Sequence, residues 1–315
     1  MIILGFDIGG TKCAVVTAEW DGENVTILKK KKCPTDLTVT PEKMINRLIK
    51  MADGIITENI NLIGISCGGP LDSEKGVILS PPNLPGWDKV EIVKQLSDYY
   101  GVPAKLQNDA NASAVAEWKF GAGQNTQNMI FLTFGTGLGA GLVLGGRIYS
   151  GTNSNAGEVG HIRLSDYGPE GYGKKGSFEG FCSGGGIARL GITKAEEKIE
   201  KGEYPLYFRK GTKSEDVTAK TIAEAARMGD ETAKEVYRIC GENLGKGLSL
   251  LIDILNPEKI VIGSVFERAY DLLWHHAERI IKEEALSVSS ECCKVVPAKL
   301  GEEIGDYAAI GAALS

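Results

Sequence analysis

Histidine is scarce in this chain, three in 315 residues, and the seven cysteines at 13, 33, 67, 182, 240, 292 and 293 contain no Cys-x-x-Cys pair. An odd count without a secretory segment argues against a disulfide framework, and reduced thiols in a cytoplasmic protein are expected. The N-terminus opens directly on Ile2-Ile3-Leu4-Gly5-Phe6-Asp7, with no basic region and no cleavage site before it. No run of eighteen apolar residues exists, so no transmembrane helix is expected. Positive charge is also in short supply: the formal net charge is -6, and the longest like-charge block is Lys29–Lys32. That balance does not suggest nucleic-acid binding, and the basic run reads as a solvated strand end or turn rather than a contact patch. What is plentiful is glycine, 41 residues, gathered in short clusters beside apolar runs. Loops that must bring backbone close to a ligand look like this. The length suggests two domains, and a hydrophobic fraction of 43% against 24% charged supports a sizeable core.

The chain opens as strand, tight turn, strand: an apolar run over 2–8, Gly9-Gly10-Thr11, then Cys13-Ala14-Val15-Val16. Met44, Ile45, Leu48, Ile49 and Ala52 fall at helical spacing within 41–58. A short buried strand at 62–66 runs into Cys67-Gly68-Gly69-Pro70; a helix over 90–99 precedes a strand at 103–106. The opening pattern then recurs, with a strand at 129–134, the turn Gly135-Thr136-Gly137-Leu138-Gly139 and a strand to Leu144. Two such units suggest a duplicated architecture. In the last third, Asp230 is a candidate N-cap for a long helix with Ala233, Val236, Tyr237, Cys240, Leu244, Leu248 and Leu251 on one stripe, ended by Asn256-Pro257. A buried strand at 259–263 and a final helix over 305–313 complete the reading. The expected domains are a small lobe over 1–118, with 300–315 free to pack back on it, and a large lobe over 119–299. The stretch 165–186 lacks periodicity and is long for a structureless loop, which points to function.

Five segments can carry chemistry. In Asp7-Ile8-Gly9-Gly10-Thr11-Lys12, a carboxylate at the end of a buried strand is costly unless it binds something. The glycines let backbone N–H groups approach phosphate oxygens. Thr11 adds a hydroxyl, Lys12 a cation, and Asp7 suits Mg²⁺. The plain alternative is a hairpin turn that needs glycine, and the spacing does not fit a P-loop. The second glycine turn, with Thr136 and Gly137, can serve the other phosphates. In Asn108-Asp109-Ala110-Asn111, Asn108 or Asp109 can be a helix N-cap, although Asn111 is a rival for that task. A carboxylate there can instead orient an attacking hydroxyl and take its proton. Finally, Glu158 and His161 in Gly157-Glu158-Val159-Gly160-His161, and Asn83 between prolines, are residues that can read a polyhydroxyl ligand; Trp87 beside them fits the core equally well.

In this order, the motifs resemble the ROK family of sugar kinases and repressors over essentially the whole chain. The matching segments are 7–12, Gly68-Gly69-Pro70, Pro82-Asn83-Leu84, Asn108-Asp109-Ala110-Asn111, 135–139 and 157–161. The resemblance implies an α/β, actin-like ATPase (ribonuclease H-like) fold, two lobes around a central cleft, assembled as a homodimer or homotetramer. It implies Asp109 as the catalytic base. It implies sugar contacts from Gly69, Asn83, Asn108, Asp109, Glu158, His161 and Glu179, and nucleotide contacts from Asp7, Gly9, Gly10, Thr11, Lys12, Thr136, Gly137 and Gly263, with ATP and Mg²⁺ as cofactors.

Two departures matter. Many members hold a structural zinc through cysteines in a CxCGxxGCxE segment; here those positions carry Glu170, Tyr172 and Ser177, although Glu179 is kept. Without thiolates no zinc is expected, and the nearby Cys182 does not restore the site. At Gly263-Ser264-Val265, Ser264 stands where kinases of the family often have glycine. The implied activity is transfer of the γ-phosphoryl group of ATP to a hexose, glucose at the 6-hydroxyl first, with N-acetylmannosamine, fructose or another hexose as alternatives. A sugar-sensing transcriptional regulator is the reading from another class. It expects a helix-turn-helix before the core, which here starts at residue 2. A non-catalytic sugar-binding protein is the third reading; Asp109 and both phosphate turns argue against it.

Overall fold

A computed structural model describes all residues, Met1–Ser315. In chain order the strands are β1 (Ile2–Ile8), β2 (Lys12–Trp20), β3 (Val25–Pro34), β4 (Leu62–Cys67), β5 (Leu71–Asp72), β6 (Val77–Ile78), β7 (Ala104–Asn108), β8 (Met129–Phe134), β9 (Leu138–Leu144), β10 (Arg147–Ile148), β11 (Glu170–Gly171), β12 (Lys174–Lys175), β13 (Lys259–Ile262) and β14 (Lys294–Pro297). The helices are α1 (Pro41–Asp53), α2 (Ile92–Tyr100), α3 (Asp109–Phe120), α4 (Phe178–Phe181), α5 (Gly184–Ile199), α6 (Ala219–Arg227), α7 (Glu231–Leu255), α8 (Val265–Arg268), α9 (Tyr270–Glu284), α10 (Ser287–Ser290) and α11 (Ile304–Ala313). The chain forms two compact units: Met1–Phe131, Gly141–Gly157 and Lys299–Ser315 in the first, Leu132–Ala140 and Glu158–Ala298 in the second. The division runs through β8 and β9.

In the first unit five strands lie in the order β3-β2-β1-β4-β7. β1 pairs antiparallel with β2 and parallel with β4, and β4 pairs parallel with β7. β1 is apolar on both faces because both faces are covered. Leu4, Phe6 and Ile8 join Met44, Ile45, Leu48 and Ile49 of α1 in one core, while the alternate Ile3 meets Ala309, Ile310 and Ala313 of α11 in another. The sheet admits α11 because Gly64 lacks a side chain: a Cβ there would lie 2.0 Å from the Ala309 carbonyl oxygen. α1 starts where Thr40 accepts a hydrogen bond from the Lys43 N–H and Pro41 sets the first turn, and it closes at Asp53, five residues before the expected end, where the Gly54 N–H reaches the Lys50 carbonyl.

The basic run lies within the exposed edge strand β3, where lysines keep the edge from recruiting another strand. Lys30 and Lys32 turn to the buried Asp306 of α11, at 3.0 and 3.5 Å. A second buried carboxylate fixes the returning C-terminal segment. Glu117 of α3 is fully buried. Its Oε1 accepts from the N–H groups of Lys299 (2.9 Å) and Leu300 (2.8 Å), and its Oε2 from Ala122 (2.7 Å). Three donors offset the cost of burying that charge.

The second five-stranded sheet has the order β10-β9-β8-β13-β14, with β13 and β14 parallel. Strand for strand this repeats the first sheet, so the duplication suggested by the two glycine turns extends to the whole sheet order. Asp230 caps α7 as expected, its Oδ1 accepting from the Ala233 N–H at 2.7 Å, and Asn256 ends the helix with a left-handed φ of 44°. Helices α5, α6 and α9 and strand β14 complete the second unit. Within 165–186 the chain forms the β11–β12 hairpin, α4 and the start of α5, so that stretch is an ordered, short-element segment.

Candidate active site

The parallel strands of the first unit end level. In register, Ile8 lies beside Cys67 and Cys67 beside Asn108. The residues that follow each strand end, Gly9-Gly10, Gly68-Gly69 and Asp109, therefore emerge together at the carboxyl ends of the strands, where ligands bind in open α/β sheets. Asp7 sits one residue before the end of β1.

The first glycine turn is tied down from two sides. The Thr35 hydroxyl donates to the Gly9 carbonyl (2.6 Å) and the Thr35 N–H to the Thr11 carbonyl (3.0 Å). Gly10 packs on the backbone of Asn83, whose carbonyl oxygen would lie 2.5 Å from any Cβ at position 10. Thr35 was not foreseen, since its role is set by the β2–β3 pairing and no local motif marks it. Thr11 and Lys12 are exposed.

Asp109 is the first residue of α3. The N-cap is Asn108, whose Oδ1 accepts from the Ala110 N–H at 2.9 Å. Asn111 lies inside the helix, its Nδ2 directed at Gln107 and Ser150, so the expectation that it rivals for the cap is corrected. With Asn108 holding the helix start, the Asp109 carboxylate is left for other work. Only its Oδ1 accepts a protein hydrogen bond, from Ala110 N–H at 2.8 Å. Asp109 is open to water, yet loss of hydration to the protein around it holds its carboxyl above the usual range, against the pull of the Ala110 N–H. Gly68 leaves the space over it clear, as a Cβ there would come only to 3.8 Å from Oδ2. Asn108 Nδ2 approaches Gly69. The half-buried Asp7 carboxyl is pushed up to about 7, first by burial and then by the neighbouring Asp306 and Asp109 carboxylates, with Lys12 and Lys32 acting in the opposite direction. Asp7 thus carries a poorly solvated carboxylate whose hard oxygens suit a divalent cation.

In the second unit, the turn after β8 is closed by the Gly135 N–H on the Gly137 carbonyl (3.1 Å). Glu179, the first-turn residue of α4, gives Oε2 to the Leu138 N–H at 3.0 Å. A Cβ at Gly137 would lie 2.7 Å from that same oxygen, so a larger residue there would displace the Glu179 carboxylate. Glu179 is therefore fastened to the second glycine turn by one oxygen. Glu158 precedes a single 3₁₀ turn, Val159–His161, that His161 ends, and both are exposed. Where cysteines were absent, hydrogen bonds hold the segment. Ser177 caps α4 through the Gly180 N–H (3.1 Å), Lys174 Nζ donates to the His161 carbonyl (2.7 Å), and Arg163 Nη1 donates to the Lys175 carbonyl (2.8 Å).

A cavity of about 660 Å³ opens in this unit, lined by Gly135, Thr136, Gly184, Gly185, Ser264 and Arg268 among others. That size lies within the range of small-molecule sites. The N-terminus of the sixteen-residue α5, capped by Ser183, contributes Gly184 and Gly185, whose backbone favours anionic groups. The Gly184 N–H itself donates to the Gly135 carbonyl at 2.7 Å. Gly263 is buried and donates its N–H to the Leu132 carbonyl (3.1 Å). Ser264 has φ 61° and ψ -108°, a conformation costing a non-glycine residue about 1–3 kcal/mol.

The comparisons fit this geometry. A glucokinase of Streptomyces coelicolor is 30% identical over 307 residues, covering 96% of this chain and 95% of its own. The transcriptional regulator NagC of Escherichia coli is 31% identical over 281 residues, 86% of this chain and 66% of its own. The crystal structure of a Streptomyces griseus ROK family glucokinase in complex with glucose and AMPPNP superposes with a TM-score of 0.76 at 29% identity, covering 99% of this chain and 98% of that one. The architecture is accordingly the actin-like ATPase fold. The ROK family model matches residues 3–314, and with the level strand ends, the two glycine turns and near-complete coverage by these relatives, the chain belongs to the ROK family.

Proposed function

We propose that the protein is an ATP-dependent sugar kinase, transferring the γ-phosphoryl group of ATP to a hexose hydroxyl, with glucose at the 6-hydroxyl as the first candidate. The observation that carries this reading is Asp109: a carboxylate released from capping by Asn108, with Oδ2 unengaged and its proton affinity raised. Such a group takes the proton of the attacking hydroxyl as the phosphoryl group transfers, a contribution of about 10²–10⁴ in rate. Mg²⁺, held by Asp7, supplies charge neutralisation at the phosphates when bound. The backbone of Gly9 and Gly10, the Thr11 hydroxyl and Lys12 bind phosphate oxygens, and Thr136 and Gly137 do the same from the second turn. The cavity of the second unit takes the nucleotide. A relative's complex with AMPPNP supports that donor. Gly69, Asn83, Asn108, Glu158 and His161 orient the sugar. Glu179 does so with the oxygen that the Leu138 N–H leaves unused. His161 serves the sugar without a zinc clip, and metal analysis finding one zinc per chain would contradict that part.

Likeness to NagC supports a second reading, a sugar-responsive regulator. The test that separates the two is ADP release with MgATP over a panel of glucose, N-acetylmannosamine, fructose and other hexoses. A kinase releases ADP only when its hexose is present. A protein that binds a hexose and releases no ADP with any of them is a sensor or binding protein.

A further inference from the structure

Ser264 is one of seven non-glycine residues with a positive φ, and the proposed mechanism does not use it. It stands between β13 and α8 with φ 61° and ψ -108°, a region that suits glycine. Three hydrogen bonds from residues just beyond it hold it there. Arg268 Nη2 donates to its Oγ (3.0 Å), Arg268 Nε donates to its carbonyl (3.2 Å), and its own N–H donates to Glu267 Oε2 (3.2 Å). Backbone strain persists only where the surroundings over-determine it, and it collects at ligand sites. Ser264 and Arg268 line the cavity together with Gly135, Thr136, Gly184 and Gly185.

The direction of the side chain decides what it can do. The nearest neighbour a Cβ on Gly135 would meet is Ser264 Oγ, at 3.8 Å. The hydroxyl therefore lies beside the glycine turn at the Gly135 side of the cavity. Having accepted from Arg268, Oγ keeps its own proton to donate. Arg268 spends Nε–H and one Nη2–H on Ser264, so three of its five N–H donors remain, on a side chain that is exposed. A glycine at 264 would adopt the backbone without strain, but it would remove the hydroxyl and free Arg268 from its second anchor.

We infer that Ser264, with Arg268 held by it, is a specificity-determining pair that reads the phosphate chain of the nucleotide in this cavity, supplying side-chain donors opposite the Gly135-Thr136 turn. The inference rests on the nucleotide assignment made above and deepens it. Ser264 makes the site depend on the phosphates of the ligand more than on its nucleoside, because its hydroxyl and the guanidinium are donors suited to anionic oxygens.

The test is titration calorimetry of the full chain with ATP, with Mg²⁺ present, and separately with adenosine, for the wild type, Ser264→Gly and Ser264→Ala. Ser264→Gly removes strain and donor together; Ser264→Ala keeps the strained backbone and removes only the hydroxyl. In both variants ATP affinity is expected to fall about tenfold with adenosine affinity unchanged, while Ser264→Gly melts at or above the wild-type temperature. If both variants bind ATP as the wild type does, or Ser264→Gly binds it more tightly, the inference fails while the kinase reading stands. If the two ligands weaken equally, Ser264 shapes the cavity rather than reading phosphate, and the inference also fails. A wild type that binds no ATP overturns the nucleotide assignment itself.

Discussion

The turns after β1 and β8 occupy the same place in two sheets of identical strand order, yet their polar residues are used in opposite ways. In the second unit Thr133 stands where Asp7 stands in the first. Its hydroxyl accepts from the Gly139 N–H (3.0 Å) and approaches the Gly139 carbonyl (3.3 Å), so the side chain is consumed in closing its own turn. Asp7 faces other carboxylates, and its proton affinity is raised by burial and by Asp306 and Asp109. Glu179 similarly commits one oxygen to the Leu138 N–H, and Glu117 commits both of its oxygens to three backbone donors. The lesson is that a repeated backbone frame carries both structural and chemical sites, and the hydrogen-bond inventory of each polar group tells them apart. A group already satisfied holds structure; one left unsatisfied or crowded by like charge is available for chemistry.

This contrast can be broken at either end. The largest effect is expected at Asp109→Asn: turnover falls about 10²–10⁴-fold while calorimetry still shows sugar binding, and near-normal turnover would remove Asp109 from the base role. Next comes Glu117→Ala, which removes the carboxylate acceptor of three part-buried N–H groups. With roughly 0.5–1.5 kcal/mol net for each hydrogen bond lost, the variant is expected to lose about 2–4 kcal/mol in urea unfolding; a loss under 1 kcal/mol would show that the carboxylate is not a structural tie.

Asp7→Asn tests the opposite sign. Folded Asp7 keeps its proton to about pH 7, against 3.8 for the ordinary carboxyl, so between those values the folded state binds more protons than the unfolded. Its contribution to stability is complete below about pH 4 and is lost as pH rises through about 7. Without ligand, Asp7→Asn is therefore expected to exceed the wild type in stability at pH 8 by up to a few kcal/mol, with the gap closing toward pH 4; parallel stability curves would refute the shift. The smallest effect is expected at Thr133→Val, about 1 kcal/mol of stability from one lost hydrogen bond, with the KM for sugar unchanged.

Much of this was legible in the sequence, for physical reasons that differ by element. The β1–β2 hairpin and α7 announce themselves through local chemistry, glycine at the turn and Asp230 at the cap. The same local logic left the start of α3 open: Asn108 and Asn111 are equally good caps on paper, and the structure places the cap at Asn108 and the helix start at Asp109. Glu117 was invisible because its partners Lys299 and Leu300 contribute backbone N–H groups from 182 and 183 residues away. Ser264 could be flagged as a residue standing where glycine is usual, but its left-handed φ and its clasp by Glu267 and Arg268 belong to the folded chain alone.

The central claim is that a phosphoryl group moves from ATP to a hexose. Phosphorus-31 magnetic resonance of the protein with MgATP and glucose follows that transfer directly. The account predicts a phosphomonoester signal of the sugar growing in step with ADP and absent in Asp109→Asn. Release of inorganic phosphate in its place, or an ATP spectrum that stays constant with every hexose tried, would contradict it.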